Sequence, residues 1–299
     1  MFLKKPSAST DPRLRSLLQK AVRRGADHLV QATTRTLIYK GDTTWLRSRT
    51  VVITFEEAWP LAQNLVLTKD QLTREKALLS VSHTSKQKDA AGLGALAFAF
   101  HEGDHSMLDL VPSKHAIVLV SEALNRPHAF LEWALTQSTT EESHHIILAA
   151  RKYLPAATWG WDKATILAAA YFAACESVPI LSNVYSNISN FPYWVALDKH
   201  TPEGKEVFKK IASHCGITYR QLIWTSFYFE SATVNSLEPS LWFETERSWR
   251  LRKAGLNDRM ASELWCKIQA TVARELFTAA EKLRLQVEIQ STNQGNLFR

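Results

Sequence analysis

Apolar residues recur every three or four positions along most of this 299-residue chain, the spacing of one face of an α-helix. Leu14, Leu17 and Leu18 begin the first such run, and Gly25 follows it where a helix would stop. Only 10 glycines and 10 prolines occur, and most fall between the runs. The pattern therefore predicts an all-α protein, a bundle of many helices joined by short loops.

The runs place the helices along the chain. They are predicted from Leu14 to Gly25, from Leu29 to Gly41, from about Thr44 to Trp59, and near 70–81, 86–102, 113–124, 127–137, 140–153, 162–176, 203–214, 218–231, 240–253 and 258–289. The β-branched run at 50–54 could form a strand, but helical signals flank it and favour a helix. Segment 162–176 is apolar on nearly all sides, which is typical of a buried helix.

The segments suggest four parts. We expect a flexible N-terminus at 1–10, a basic helical part at 11–160, a second helical part at 161–289, and a disordered polar tail at 290–299. No apolar run approaches the ~20 residues that span a bilayer, and the N-terminus lacks the apolar core of a signal peptide. The three cysteines are too far apart for a disulfide framework, so a cytoplasmic protein is expected.

Positive charge is concentrated at the start of the chain. The formal net charge is +7, and residues 1–60 contain eleven Lys and Arg against five Asp and Glu. Such a block could attract the phosphates of a nucleic acid. The alternative is a solvated helix face beside a functional surface elsewhere.

Within this block, a set of residues keeps a distinctive spacing. They are Leu14, Leu17, Lys20, Val22, Arg23, Arg35, Gly41, Asp42, Trp45, Arg49, Ile53 and Glu56–Glu57. The stretch from Leu14 to about Leu65 thereby resembles the helical C-terminal region of RarA/MgsA-type proteins, which are clamp-loader-related AAA+ ATPases of DNA replication and repair. A weaker similarity covers Ala168–Tyr185. The sequence departs from the family at Glu57, where Asp is usual, and at Ala21, where Ser is usual.

The resemblance implies a collar-like helical bundle that oligomerises, without the motor. The sequence contains no G-x-x-x-x-G-K-[ST] loop to hold ATP phosphates, so neither ATPase activity nor a cofactor is expected. The implied partners are DNA, a separate AAA+ ATPase or single-strand-binding protein, and further copies of the chain.

Arginine suits phosphate because its planar fork donates several hydrogen bonds. The candidate DNA-contacting residues in the basic block are Arg23, Arg24, Arg35, Arg47 and Arg49. The alternative for Arg35 and Arg49 is an internal ion pair with Glu56 or Glu57.

The end of the chain carries a second motif. Gln294, Leu297 and Phe298 have the Gln-x-x-Leu-Phe spacing of peptides that dock on the bacterial sliding clamp. There the two apolar side chains would enter a pocket and the amide would make a directional hydrogen bond. The alternative is an arbitrary polar tail.

Two loops offer rival chemistry. His101-Glu102-Gly103-Asp104-His105 matches the H-E-x-x-H pattern of zinc hydrolases, although glycine is a poor helix interior. The second candidate loop consists of Asp198, Lys199, His200 and Lys205, whose acid, base and cation could bind phosphate or transfer protons. The alternative is a solvated helix start, opened by Thr201 as N-cap.

The sequence therefore predicts a non-ATPase accessory protein of DNA replication or repair, of bacterial or phage type, that binds DNA and the sliding clamp. No catalytic residue and no metal are expected. Two alternatives stay open: a metal-dependent hydrolase or nuclease-like enzyme that uses one of the two loops, and a protein–protein scaffold without affinity for DNA.

Overall fold

The computed structural model of the chain describes residues 11–68, 70–184 and 190–295. The chain is all-α, as predicted: 74% is helical, and the described residues form thirteen α-helices and no β-strand. The helices are α1 (Pro12–Arg24), α2 (Asp27–Tyr39), α3 (Thr43–Ala58), α4 (Gln71–Ser82), α5 (Asp89–His101), α6 (Lys114–Asn125), α7 (Pro127–Gln137), α8 (Glu141–Tyr153), α9 (Gly160–Cys175), α10 (Pro202–His214), α11 (Tyr219–Ser226), α12 (Leu241–Lys253) and α13 (Asp258–Gly295).

Four short helical turns complete the described secondary structure. Three are 3₁₀ turns, at Trp59–Asn64, Leu154–Ala156 and Tyr193–Ala196. The fourth is a π-helical turn at Phe227–Ser231, which continues directly from α11. No helix in the described ranges has both the length and the apolar character needed to cross a membrane.

Local signals in the sequence explain where α1 begins and ends. The Asp11 carboxylate accepts a hydrogen bond from the Arg13 amide at 3.1 Å, and Pro12 occupies the first helical position. Gly25 adopts φ 69° and ends the helix, and its amide donates hydrogen bonds to the carbonyls of Ala21 and Val22.

The β-branched run at 50–54 lies within α3, as predicted. All five of its side chains are buried, and the Thr54 hydroxyl donates to the Thr50 carbonyl at 2.9 Å. The hydroxyl is thus satisfied inside its own helix, so burial of this polar group costs little. Packing of the run in a core outweighs its weak helix propensity.

The chain divides into two compact units, and each is made of separate stretches. The first unit comprises Met1–Leu46, Ser186–Val234 and Arg250–Arg299, and the second comprises Arg47–Tyr185 and Asn235–Trp249. This is not the division at residue 160 that the sequence suggested.

The core of the second unit forms around α9, which packs on α5, α6, α7 and α8. As expected for an apolar rod, α9 has Ile166, Leu167 and Phe172 at 0–1% exposure. It packs closely on α5, where a Cβ on Gly94 would lie 2.6 Å from the Thr165 backbone. Glycine is therefore required for these two helices to pack this closely.

A buried lysine holds the segment that follows α4. Lys86 is 0% exposed, and its Nζ donates to the Val81 carbonyl at 2.8 Å and to the Asn235 side-chain oxygen at 3.1 Å. The ammonium thus binds a carbonyl at the C-terminal end of α4, where the helix dipole favours a cation. The Lys86 and Gln87 amides donate to the carbonyls of Ser236 and Glu57, both at 2.8 Å, so the predicted helix at 86–102 begins only at Asp89.

In the first unit, α13 supplies one continuous buried stripe. Its members recur every three or four residues: Ala261, Trp265, Ile268, Val272, Leu276, Ala280, Leu283 and Val287. The stripe packs against α2, α10, α11 and the turn Tyr193–Ala196. The helix extends to Gly295, so the tail that was expected to be disordered from 290 begins with six helical residues.

Candidate nucleic-acid interface

Arg23 and Arg24 of α1 point into the first unit, which corrects two of the predicted DNA contacts. Arg23 is 4% exposed and donates to the Ser231 carbonyl at 3.4 Å. Arg24 is 9% exposed and donates to the Glu230 carboxylate at 2.7 Å. Buried guanidinium groups held in this way cannot reach the phosphates of a ligand, so the assignment of Arg23 and Arg24 as DNA contacts was wrong.

Arg49 also forms ion pairs within the protein, in the second unit. It donates to Glu56 at 3.0 Å and to Asp162 at 3.1 Å, which is the alternative that the sequence left open. Arg35 and Arg47 are exposed, on α2 and α3 respectively. The structure therefore does not bring the five predicted arginines together on one surface.

Asp198 anchors the second candidate loop to α1. Its carboxylate accepts from the Lys20 ammonium, and from the amide and ring of His200 at 2.9 and 3.1 Å. Burial alone would raise the pKa of Asp198, but the charge of Lys20 and the hydrogen bonds from His200 lower it well below its usual range. The carboxylate thus fixes the loop through Lys20 and His200.

Thr201 continues the loop into α10. Its hydroxyl accepts from the Gly204 amide at 3.1 Å, the N-cap that the sequence predicted. A Cβ on Gly204 would lie 2.1 Å from the Asp198 carbonyl oxygen, so glycine is needed to fold the loop against the helix.

The π-helical turn Phe227–Ser231 is fixed from two sides through Glu230. Arg24 donates to its carboxylate and to its carbonyl, the latter at 2.9 Å, and Gln269 donates to the other carboxylate oxygen at 2.7 Å. The turn joins α1 to α13 through these bonds. π-Helical turns interrupt α-helices frequently at functional sites.

These anchors hold a group of cations and aromatic rings, which we call the aromatic–cationic patch: Lys199, Trp224, Phe227 and Arg250. The Lys199 ammonium lies 3.7 Å from the centre of the Trp224 ring and 4.9 Å from that of Phe227. The Arg250 guanidinium lies 4.3 Å from the centre of Trp224. All four side chains are partly exposed. Cations attracted to aromatic rings have a defined position.

Exposed charge differs between the two units. Among the described residues of the first unit, eleven Lys and Arg are exposed, compared with four Asp and Glu. In the second unit the numbers are seven and nine. Ten of the eleven cations lie on α10–α13: Lys205, Lys209, Lys210, Arg220, Arg252, Lys253, Arg259, Lys267, Arg274 and Lys282. Among them, Lys210 pairs with Glu275 at 2.7 Å and Arg259 with Glu263 at 2.9 Å. The surface of α10–α13 thus has an excess of positive charge.

The H-E-x-x-H motif does not have the geometry of a zinc site. His101 is the last residue of α5, and Gly103 turns the chain with φ 85°, so His101 and His105 do not share a helix face. The His105 ring instead packs on Phe100 with centroids 4.5 Å apart. In the part of the chain that the structure describes, no three His, Cys, Asp or Glu side chains are grouped so that they could hold a metal ion.

The predicted clamp-binding residues are only partly described. Gln294 lies in the last turn of α13. Leu297 and Phe298 lie outside the described residues.

Comparison of the chain with protein-family models, with curated proteins and with solved structures finds no match.

The sequence missed Lys20, Glu230 and Arg250 as members of this region. Lys20 and Asp198 are 178 residues apart, and Arg24 and Glu230 are 206 apart. No local spacing could signal such pairs. The one available signal was the aromatic run beside Trp224, which core packing explains equally well.

Proposed function

We propose that the chain is a DNA-binding accessory protein of replication or repair, without ATPase activity of its own. The observation that carries the proposal is the excess of exposed Lys and Arg on α10–α13. A polyanion is the partner that such a surface attracts, through release of counterions. The resemblance of 14–65 to the collar of clamp-loader-related ATPases supports DNA as that polyanion, and a separate AAA+ ATPase and further copies of the chain as additional partners.

In this proposal Lys205, Lys209 and Arg220 contact phosphates, and Lys199 and Arg250 of the aromatic–cationic patch add further positive charge. Lys205 and Lys209 are four residues apart and therefore share a face of α10. The buried cations of α1 contribute indirectly, because they hold the loop and the π-helical turn that carry the patch.

The test is a salt titration of DNA binding. Replacement of Lys205, Lys209 and Arg220 together by Gln should weaken binding of a fluorescent 30-nucleotide DNA, single- or double-stranded, by about tenfold or more at low salt. It should also reduce the slope of log affinity against log salt by about 0.7–0.9 for each phosphate that the variant no longer neutralises. Fluorescence anisotropy measures both quantities.

The matched control replaces three exposed lysines of the second unit, Lys76, Lys114 and Lys163, by Gln. This variant loses the same charge and should bind as the wild type does. Equal losses of affinity in the two triple variants would show that net charge alone determines binding, and would contradict the assignment of these three residues. Binding that does not depend on salt would contradict the proposal.

We further propose that the chain binds a bacterial sliding clamp through Gln294, Leu297 and Phe298. The Gln-x-x-Leu-Phe spacing supports this role. Docking as an extended segment requires Gln294 to leave the last turn of α13. Leu297→Ala with Phe298→Ala should weaken binding to an immobilised clamp at least tenfold, because such apolar anchors supply most of the binding energy. Thr292→Ala is the control, and unchanged binding by the double variant would refute the clamp proposal.

A further inference from the structure

One buried cation of the second unit differs from the others, because it has no acceptor among the described residues. Six Lys and Arg side chains of the described residues are buried. Five of them have a partner: Lys20 has Asp198, Arg23 has Ser231, Arg24 has Glu230, Lys86 has Val81 and Lys88 has Glu57. The sixth, Arg74, is 6% exposed, and no hydrogen bond or ion pair joins its guanidinium to a described residue. A buried charge without an acceptor is costly, so a bound anion would stabilise it.

The position of Arg74 in its helix directs the guanidinium toward one end of α4. Arg74 is the fourth residue of the helix, and Asp70 is the N-cap, whose side chain accepts from the Leu72 amide at 3.2 Å. Side chains of an α-helix lean toward its N-terminus. The Arg74 guanidinium is therefore directed to the end of α4 at which the helix dipole and the first amides favour a negative charge.

A second guanidinium lies near the first. Burial and the charge of Arg47 lower the pKa of Arg74, and the carboxylate of Asp70 opposes them. Arg47 is exposed on α3, and it likewise forms no hydrogen bond or ion pair with a described residue. Two arginines that are close enough to repel each other, without a shared acceptor, would both be stabilised by an anion between them.

We propose that Arg47 and Arg74, at the start of α4, bind a phosphate group. Each guanidinium offers five donors in a planar fork, and the helix end adds amides, so the site has more donors than the two oxygens of a carboxylate can use. A phosphate has additional acceptor oxygens and a larger charge, which match this set. Both arginines belong to the second unit, so the site does not depend on the DNA contacts proposed for α10–α13.

The test is a titration of the full chain with inorganic phosphate, in chloride buffer of constant ionic strength, followed by phosphorus NMR. Phosphate should bind the wild type saturably. Its affinity should fall about tenfold or more in Arg74→Met and several-fold in Arg47→Gln, because each variant loses charged hydrogen bonds. Lys76→Gln, which removes an exposed charge from the same helix, should leave the affinity unchanged. No saturable binding to the wild type, or equal binding to the wild type and Arg74→Met, would overturn the proposal.

Thermal unfolding of the same variant gives a second readout. In chloride buffer without phosphate, Arg74→Met removes an unpaired buried charge, so the midpoint of unfolding should rise. Phosphate should raise the midpoint of the wild type more than that of the variant, because a ligand stabilises the state that binds it. A lower midpoint for Arg74→Met in chloride would show that the guanidinium is already satisfied within the protein, and would also overturn the proposal.

Two sources can supply the phosphate group, a small phosphate ester or the backbone of DNA. The fluorescent DNA of the salt titration distinguishes them. If Arg74→Met binds this DNA as the wild type does, the phosphate belongs to a small ligand. If the variant loses as much affinity as the triple variant of Lys205, Lys209 and Arg220, the phosphate belongs to DNA and the nucleic-acid surface includes the second unit.

Discussion

At the scale of single residues, the positions of the α1 cations explain why charge counted along the sequence misleads. Lys20, Arg23 and Arg24 are buried in the first unit, with exposures of 2%, 4% and 9%. A count of charges along the sequence does not distinguish these buried cations from exposed ones. Their partners lie far away in the chain and are not visible in the local sequence. Their amphipathic helix could be predicted from the sequence, but the side on which the cations lie could not.

Lys20→Met tests this internal role. The substitution leaves the Asp198 carboxylate buried without its cation, which should destabilise the protein by about 3–5 kcal/mol. Urea unfolding followed by circular dichroism measures the decrease. The control Lys205→Met, at an exposed position of α10, should change the free energy of unfolding by about 0.5 kcal/mol or less.

The lowered pKa of Asp198 also predicts how acid affects stability. The folded-state pKa lies below that of an unfolded aspartate, so this group stabilises the fold above about pH 4, and the contribution is lost as the pH falls through the folded value. The difference in unfolding free energy between the wild type and Asp198→Asn should therefore shrink between about pH 5 and about pH 2.5. A difference that grows in acid would contradict the assigned charge state.

At the scale of the helices, the sequence predicted most elements and missed how some of them are interrupted. Segment 218–231 reads as one helix, yet it changes to a π-helical turn at Phe227, where the Ala232 amide donates to the Phe227 carbonyl at 2.7 Å. In a π-helix the amide donates to the fifth preceding carbonyl, and in an α-helix it donates to the fourth. The spacing of apolar residues does not distinguish the two. The contacts of Glu230 with α1 and α13 are tertiary, so they could not be foreseen.

Gly94→Ala tests the packing of α5 on α9. The new methyl group would lie 2.6 Å from the Thr165 backbone, which has no flexible side chain to move aside. We expect a destabilisation of about 1–3 kcal/mol or more, seen as a lower midpoint of thermal unfolding. Alanine normally stabilises a helix relative to glycine, so an unchanged or higher midpoint would show that the two backbones do not touch there.

At the scale of the whole molecule, the fold class followed from the sequence, but the grouping of helices did not. Each unit draws on stretches that are far apart, as when Asn235–Trp249 joins Arg47–Tyr185. Hydrophobic pattern identifies which face of a helix is buried without identifying the helix that covers it. For the same reason, the candidate DNA surface lies on α10–α13 and not in the N-terminal block that the sequence suggested.

The enclosed ammonium of Lys86 has a consequence for chemical labelling. An amine without solvent contact cannot meet an acylating reagent until the surrounding helices separate, whereas the many surface amines react at once. Its rate of acylation, read by mass spectrometry, would therefore follow the opening of the second unit under native conditions, without any denaturant.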